Sequence, residues 1–105
     1  IQITQLRPDN IAKAQLDEIA LKMQQNPQLQ ASLIGHTDDR GSESGNERYG
    51  QKRADAVKSY LSKQHNIDES RVETSSAGES QPSSDNSTAQ GRQENRRVVV
   101  ELSVP

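Results

Sequence analysis

The stretch "RRVVVELSV", Arg96 to Val104, constrains this chain more than any other. It is too rich in β-branched residues to be a free tail, so it must pair in a sheet, and other strands must lie upstream to receive it. The segment before it, "AGESQPSSDNSTAQGR", is dominated by Gly, Ser, Asn, Gln and Pro and would read in isolation as a linker. With a strong strand behind it, the same segment becomes a long surface loop, with a short helix near Thr88 to Glu94.

Upstream, the periodicity alternates between strand and helix. Ile1 and Ile3 alternate with polar residues as in a strand, and Pro8-Asp9-Asn10 then supplies a break and a helix cap. Residues 10 to 25 read as a helix whose apolar face is Ala12, Leu16, Ile19, Ala20 and Met23. Asn26-Pro27 ends it. "QASLIGH", Gln30 to His36, reads as a strand that delivers Gly35 to Asp38 at its C-terminal end. A capping box in "SGNE", with Ser44 facing Glu47, then opens a helix running to about Gln64, with His65-Asn66 as its exit. "RVETSS" is a weak strand, carried mainly by Val72 and Thr74. The order predicts an α/β (α+β) two-layer sandwich, β-α-β-α-β-(α)-β, with the helices packed on one face of a small mixed sheet. The first three strands are expected as parallel neighbours.

The chain has 105 residues, enough for one domain with a modest core and too few for two, so residues 1–105 are read as a single domain. Hydrophobic residues make up 29% and the mean hydropathy is -1.02, so the core must be thin. The net charge of -2 and the grouping of apolar residues into periodic segments argue for folding over disorder. A pI near 5.7 and only two tyrosines as aromatics supply neither the positive field nor the stacking platforms of a nucleic-acid binder. No apolar run approaches the roughly 18 residues of a membrane span, so any membrane attachment is expected through segments outside this chain. The absence of cysteine excludes disulfides and thiolate sites.

One residue breaks the helical pattern. Tyr49, Arg53, Ala56, Val57 and Tyr60 fall within a sector of about 100° on a helical wheel, with Arg53 near its centre. A guanidinium on an apolar face must reach a cleft, snorkel, or find a carboxylate. Asp38 follows the C-terminal end of a strand, the place where open α/β sheets bind their ligands. Together, an arginine fork and an aspartate form a receptor for an amino-acid head group: the arginine takes the carboxylate and the aspartate takes the ammonium.

"GHTDDRG", "N…YG..RADAVKSYL", "AGES.P" and "NRRVVVEL" occur in this order across nearly the whole chain. In these four motifs the sequence resembles the OmpA-like peptidoglycan-binding domain, shared by outer-membrane porin tails, peptidoglycan-associated lipoproteins and flagellar stator proteins. The resemblance implies binding of the diaminopimelate of the peptidoglycan stem peptide, with Asp38 taking its amine, Arg53 its carboxylate, and Thr37, Asn46 and Arg97 completing or bracing the pocket. It also implies a periplasmic, outer-membrane-associated setting in a Gram-negative bacterium, no cofactor, no metal, and binding without catalysis. Tyr49 stands where the family usually has a leucine.

Other readings compete. His36, Asp38, Asp39 and Glu43 suggest a metal site, but the only other histidine, His65, has no ligand spacing to them; His36 is expected instead to bond neighbouring backbone. Adjacent aspartates diverge, whereas glycoside hydrolysis needs two carboxylates facing one another. A protein-interaction module of the Tol or stator type, with envelope proteins as partners and the Asp38/Arg53 pair purely structural, remains the alternative. Arg96 and Arg97 face opposite sides of a strand, and the motif position favours Arg97 at the pocket.

Overall fold

The computed structural model describes residues 2–6 and 10–105; the side chains of residues 2, 3 and 10–12 lie outside the description. The elements are β1 (Gln2–Leu6), α1 (Asn10–Gln25), β2 (Gln30–His36), α2 (Glu43–His65), a 3-10 turn (Glu69–Arg71), β3 (Val72–Gly78), α3 (Ala89–Asn95) and β4 (Arg97–Ser103). Most of the cap expected at Pro8-Asp9-Asn10 falls outside the described residues, and Asn10 itself is the first residue of α1.

The four strands form one mixed sheet in the order β1-β4-β2-β3. β2 and β3 are parallel neighbours joined through α2, as expected. The expected pairing of β1 with β2 does not occur, because β4 enters between them antiparallel to both. The reason lies in its side chains: Val98, Val100 and Leu102 are buried on one face, and the half-buried Val99 lies on the other, so the most β-branched strand takes a central place.

The helices α1 and α2 contribute to a single core. Leu16, Ile19, Ala20 and Met23 of α1, the predicted face apart from Ala12, whose side chain lies outside the described residues, pack with Leu33 of β2, Val98, Val100 and Leu102 of β4, and Ala54 and Leu61 of α2. The end of α1 is held by Arg71, whose Nε and Nη2 donate to the Leu29 carbonyl and whose Nη2 also reaches those of Met23 and Asn26. Asp17 ties α1 to α2 by accepting from the Tyr60 hydroxyl at 2.7 Å and lying 2.7 Å from Nε2 of His65.

Two details of α2 differ from the sequence expectation. The cap is Ser42 rather than Ser44: its side chain accepts from the Gly45 N–H at 3.0 Å and starts the helix at Glu43. The buried stripe is also rotated, running through Asn46, Gly50, Ala54, Val57 and Leu61, so that Arg53 lies at its edge and Ala56 is exposed. Small residues set this rotation. A Cβ at Gly35 would lie 1.7 Å from the Gly50 carbonyl oxygen, and one at Gly50 would lie 2.2 Å from Ser76 Oγ, so helix and strand touch backbone to backbone.

Asn95 organises the polar loop before β4. It is fully buried, its Oδ1 accepts from the N–H groups of Ser83 and Ser84 at 2.9 Å each, and its Nδ2 donates to Ser84 O and Asn86 Oδ1. The loop is therefore a hydrogen-bonded unit, folded around one amide.

Two outcomes follow from this packing. Gly35→Ala places a carbon inside backbone that cannot yield, and should lower stability by about 3 kcal/mol or more, or prevent folding, in a urea titration. Asn95→Ala leaves several part-buried donors and acceptors without their partner and should make residues 79–92 the first site of limited proteolysis, with a global loss of about 2 kcal/mol.

Candidate functional site

The tight seat of α2 on β2 carries the first three turns of the helix over the C-terminal end of the strand. Asn46, Tyr49 and Arg53, at spacings of three and four, then form one wall of a cleft of about 160 Å³. Thr37, Asp38 and Arg40 from the β2–α2 loop form a second wall, and Arg96, at the C-cap of α3, closes the third side.

Asp38 is 7% exposed and both its oxygens are engaged: Oδ1 accepts the Arg40 N–H at 3.0 Å, and Oδ2 accepts Nη1 of Arg96 at 2.6 Å. Burial works to raise its pKa, but the Arg40 N–H and the Arg96 guanidinium outweigh it, and the carboxyl is held below its ordinary value. Thr37 fixes the loop by donating its N–H to the Gly78 carbonyl at 2.8 Å and its hydroxyl to the Asp38 carbonyl at 2.8 Å. Asn46 is buried and donates Nδ2 to Oε1 of Glu79, joining the cleft to the turn after β3.

Nη1 of Arg53 donates to the carbonyl of His36 at 2.9 Å. Among the described residues no carboxylate lies within ion-pair distance of it, so it is not in the ion pair that a purely structural role would give it. Burial, then the nearby Arg96 charge, pull its pKa down, opposed by Asp38 and Tyr49. Tyr49 is 60% exposed, with Lys52 Nζ 5.9 Å from its ring centre, and stands at the rim of the cleft. Asp39 is exposed and outside the lining, so the two adjacent aspartates do diverge.

Of the expected site residues, Thr37, Asp38, Asn46 and Arg53 come together, and Arg97 does not join them. Arg97 pairs across the sheet with His36, on the face that Val99 shares, and its guanidinium donates to the carbonyls of Asn95 and Gln81. It therefore sits behind the cleft and secures the polar loop. The alternation of β4 carried this information. Val98, Val100 and Leu102 face the helices, so Arg96, two residues before Val98, falls on the site side. A larger cleft of about 320 Å³ opens near Gln30 and Arg71, but Arg71 is committed to backbone carbonyls there.

Residues 2–96 match the model of the OmpA family. The chain belongs to the OmpA family. Over 90 residues it is 39% identical to outer membrane protein Omp38 of Acinetobacter baumannii, covering 86% of this chain and 25% of that protein. Over 88 residues it is 40% identical to the probable lipoprotein YiaD of Escherichia coli, covering 84% of this chain and 40% of that one. The chain thus spans well under half the length of these relatives. The crystal structure of the peptidoglycan-associated lipoprotein from Burkholderia pseudomallei superposes with a TM-score of 0.87 at 26% identity, covering 94% of this chain and 89% of that one. The OmpA-family fold of the chain is therefore established by sequence and by shape together.

Within this OmpA-family fold, the ring of His36 is not used as expected. It is 3% exposed, Nδ1 has no hydrogen-bond partner, and only the His36 carbonyl serves the site, through Arg53. Burial, reinforced by the charge of Arg97, pushes the imidazole down from 6.5 to about 4. A histidine depressed in the folded state takes up its proton more readily when unfolded. Its contribution is thus fully present above about pH 6.5 and is lost as pH falls towards about 4. Urea midpoints should decline across this window, before most carboxylates titrate, and His36→Gln should flatten the decline.

Proposed function

We propose that residues 1–105 form a single domain that binds peptidoglycan non-covalently through the diaminopimelate of the stem peptide. In this reading the domain anchors an outer-membrane or envelope protein to the cell wall, in the periplasm of a Gram-negative bacterium. The names of its relatives, an outer membrane protein, a probable lipoprotein and a peptidoglycan-associated lipoprotein, support that setting.

The observation that carries the reading is the state of Arg53. Its guanidinium faces a cleft, one of its five donors is engaged by a backbone carbonyl, and no carboxylate among the described residues meets it. A ligand carboxylate is the complement to such a fork. Asp38 lines the same cleft as an ionised carboxylate and accepts the ligand ammonium, in competition with Arg96. Thr37 and Asn46 hold the two walls at their spacing through the Gly78 carbonyl and Glu79. The role expected of Arg97 becomes bracing, and the arginine facing the ligand is Arg96. The cleft would hold a head group by charge and shape, and among the described residues Asp38 is the only carboxylate in its lining.

Cosedimentation with isolated sacculi tests the reading. Arg53→Ala and Asp38→Asn should each weaken retention at least about tenfold, the scale of truncating one member of a partly buried charge pair. Arg53→Ala should change stability by less than about 2 kcal/mol, since a single hydrogen bond is lost. Unfolding of Arg53→Ala with the loss of retention would return the residue to a structural role. Retention should also fall with salt and fail on sacculi whose diaminopimelate is amidated, and equal retention on amidated walls would overturn the pose.

A further inference from the structure

The sheet has a second face, which the hydrophobic core does not use. Ala31, Leu33, Val72, Val98, Val100 and Leu102 point into the core, so strand alternation sends Ser32, Ile34, Val99 and Glu101 to the opposite side, with Glu73 and Ser75 beside them on β3. None of these six is fully buried, and Ile34 and Val99, although apolar, stand outside the core cluster.

The strand register sorts the six into two rows. Ser32 is flanked by Glu73 and Glu101, and Ile34 by Ser75 and Val99. The first row carries two carboxylates roughly 10 Å apart, the width of two strand spacings. Neither makes a hydrogen bond or ion pair among the described residues. The second row, roughly 7 Å further along the strands, sets the side chains of Ile34 and Val99 next to one another. The cleft of about 320 Å³ near Gln30 opens beside the carboxylate row, shares Ser32 and Glu73 with it, and adds Glu69. Arg71, the cation in that lining, is turned to the carbonyls of Met23, Asn26 and Leu29.

Backbone groups within a sheet are already paired along its ladders, so a partner on this face meets side chains only and must satisfy its own backbone, as a helix does. Helical residues seven apart lie on one side and roughly 10 Å from each other, the spacing of Glu73 and Glu101. Two copies of this face would set carboxylate against carboxylate, which opposes self-association.

We infer that the open sheet face is a docking surface for a cationic amphipathic helix of a partner protein, laid across the strands. Lysines or arginines seven residues apart meet Glu73 and Glu101, and the aliphatic stripe beside them covers Ile34 and Val99. The cation at Glu73 also has Glu69 within the adjoining cleft. Ser32 lies six residues before Asp38, roughly 20 Å away at the rise of a strand, so this surface is separate from the cell-wall cleft and does not depend on the reading of it. Wall and partner can be held at once.

The probe is a synthetic helical peptide of about 18 residues, with a leucine stripe and lysines spaced seven apart along its border. A peptide with glutamate in place of lysine and a shuffled peptide of the same composition serve as controls. In titrations followed by backbone amide shifts, the lysine peptide should bind saturably at residues 32–34, 73–75 and 99–101. It should bind at least about 5-fold more tightly than either control, the scale of two exposed charge pairs. Glu73→Lys combined with Glu101→Lys, at positions that are not buried, should turn the preference towards the glutamate peptide. Val99→Thr should weaken the lysine peptide about 3-fold by removing apolar contact. Equal binding of the shuffled peptide, shifts centred on Asp38 instead of this face, or a preference unmoved by the charge reversal would each overturn the inference. Shifts at the same residues on concentrating the chain without peptide would assign the face to a second copy and overturn it as well. Excess diaminopimelate should leave the peptide's affinity unchanged, and mutual exclusion would overturn the placement.

Discussion

The backbone of α2 rests directly on the backbone of β2 where Gly50 meets Gly35, and the geometry of the site depends on that contact. With any side chain at either position the helix would stand further from the sheet, since the Cβ of Gly35 alone would overlap the Gly50 carbonyl. Three residues beyond Gly50 the guanidinium of Arg53 reaches the His36 carbonyl, a bond that only a close-seated helix permits. The same seat rolls the helix so that Ala54 and Leu61, rather than Tyr49 and Ala56, enter the core. Packing without side chains thus decides where a charged side chain points.

A second arrangement acts from the opposite side. Asn95 gathers the turn at Ser83 and Ser84, Arg97 holds Gln81, and the Thr88 side chain caps α3 by accepting from the Gly91 N–H. A polar loop carries little apolar area to bury, so its order comes from satisfied buried polar groups rather than from hydrophobic contact. The product of that order is the position of Arg96 at the exit of α3, facing Asp38 across a gap of 58 residues in sequence. Asn46, bonded to Glu79, closes the ring between the β3 end and α2. Site and scaffold therefore share their hydrogen bonds.

Much of this was legible in the sequence because it is written in large apolar or β-branched residues. Leu16, Ile19, Ala20 and Met23 announced the buried face of α1, and the run at Val98 to Val100 announced a strand that must pair. Strand order was not legible, because the entry of β4 between β1 and β2 is a competition for the centre of the sheet that no local pattern records. The rotation of α2 was missed for a related reason. Gly50 and Ala54 weigh little in a hydropathy pattern, yet their smallness is what allows burial, while Tyr49 weighs heavily and lies outside. The exchange of Arg97 for Arg96 is different in kind: strand parity, applied back from Val98, already carried it, and motif position was preferred to parity. Arg40 gave no signal of its own, since an exposed arginine in a polar loop gains meaning only from the cleft it borders.

The charge arrangement also bears on how strongly such a cleft holds anything. Asp38 and Arg96 stabilise one another, so on the proposed reading part of the attraction that a ligand ammonium would gain is returned as Arg96 is displaced. An open cleft also leaves the new pairs partly hydrated, and a pair in that condition is worth about 1 kcal/mol or less. Under the proposed function, weak capture at one stem would be compatible with firm attachment to a wall, because a polymer presents many stems and a tethered domain meets the next one at high effective concentration. On the proposed reading, the preformed Asp38–Arg96 pair has a use beyond stability: it keeps the carboxylate ionised and the cleft rigid, so that release from one stem would leave a site already shaped for another.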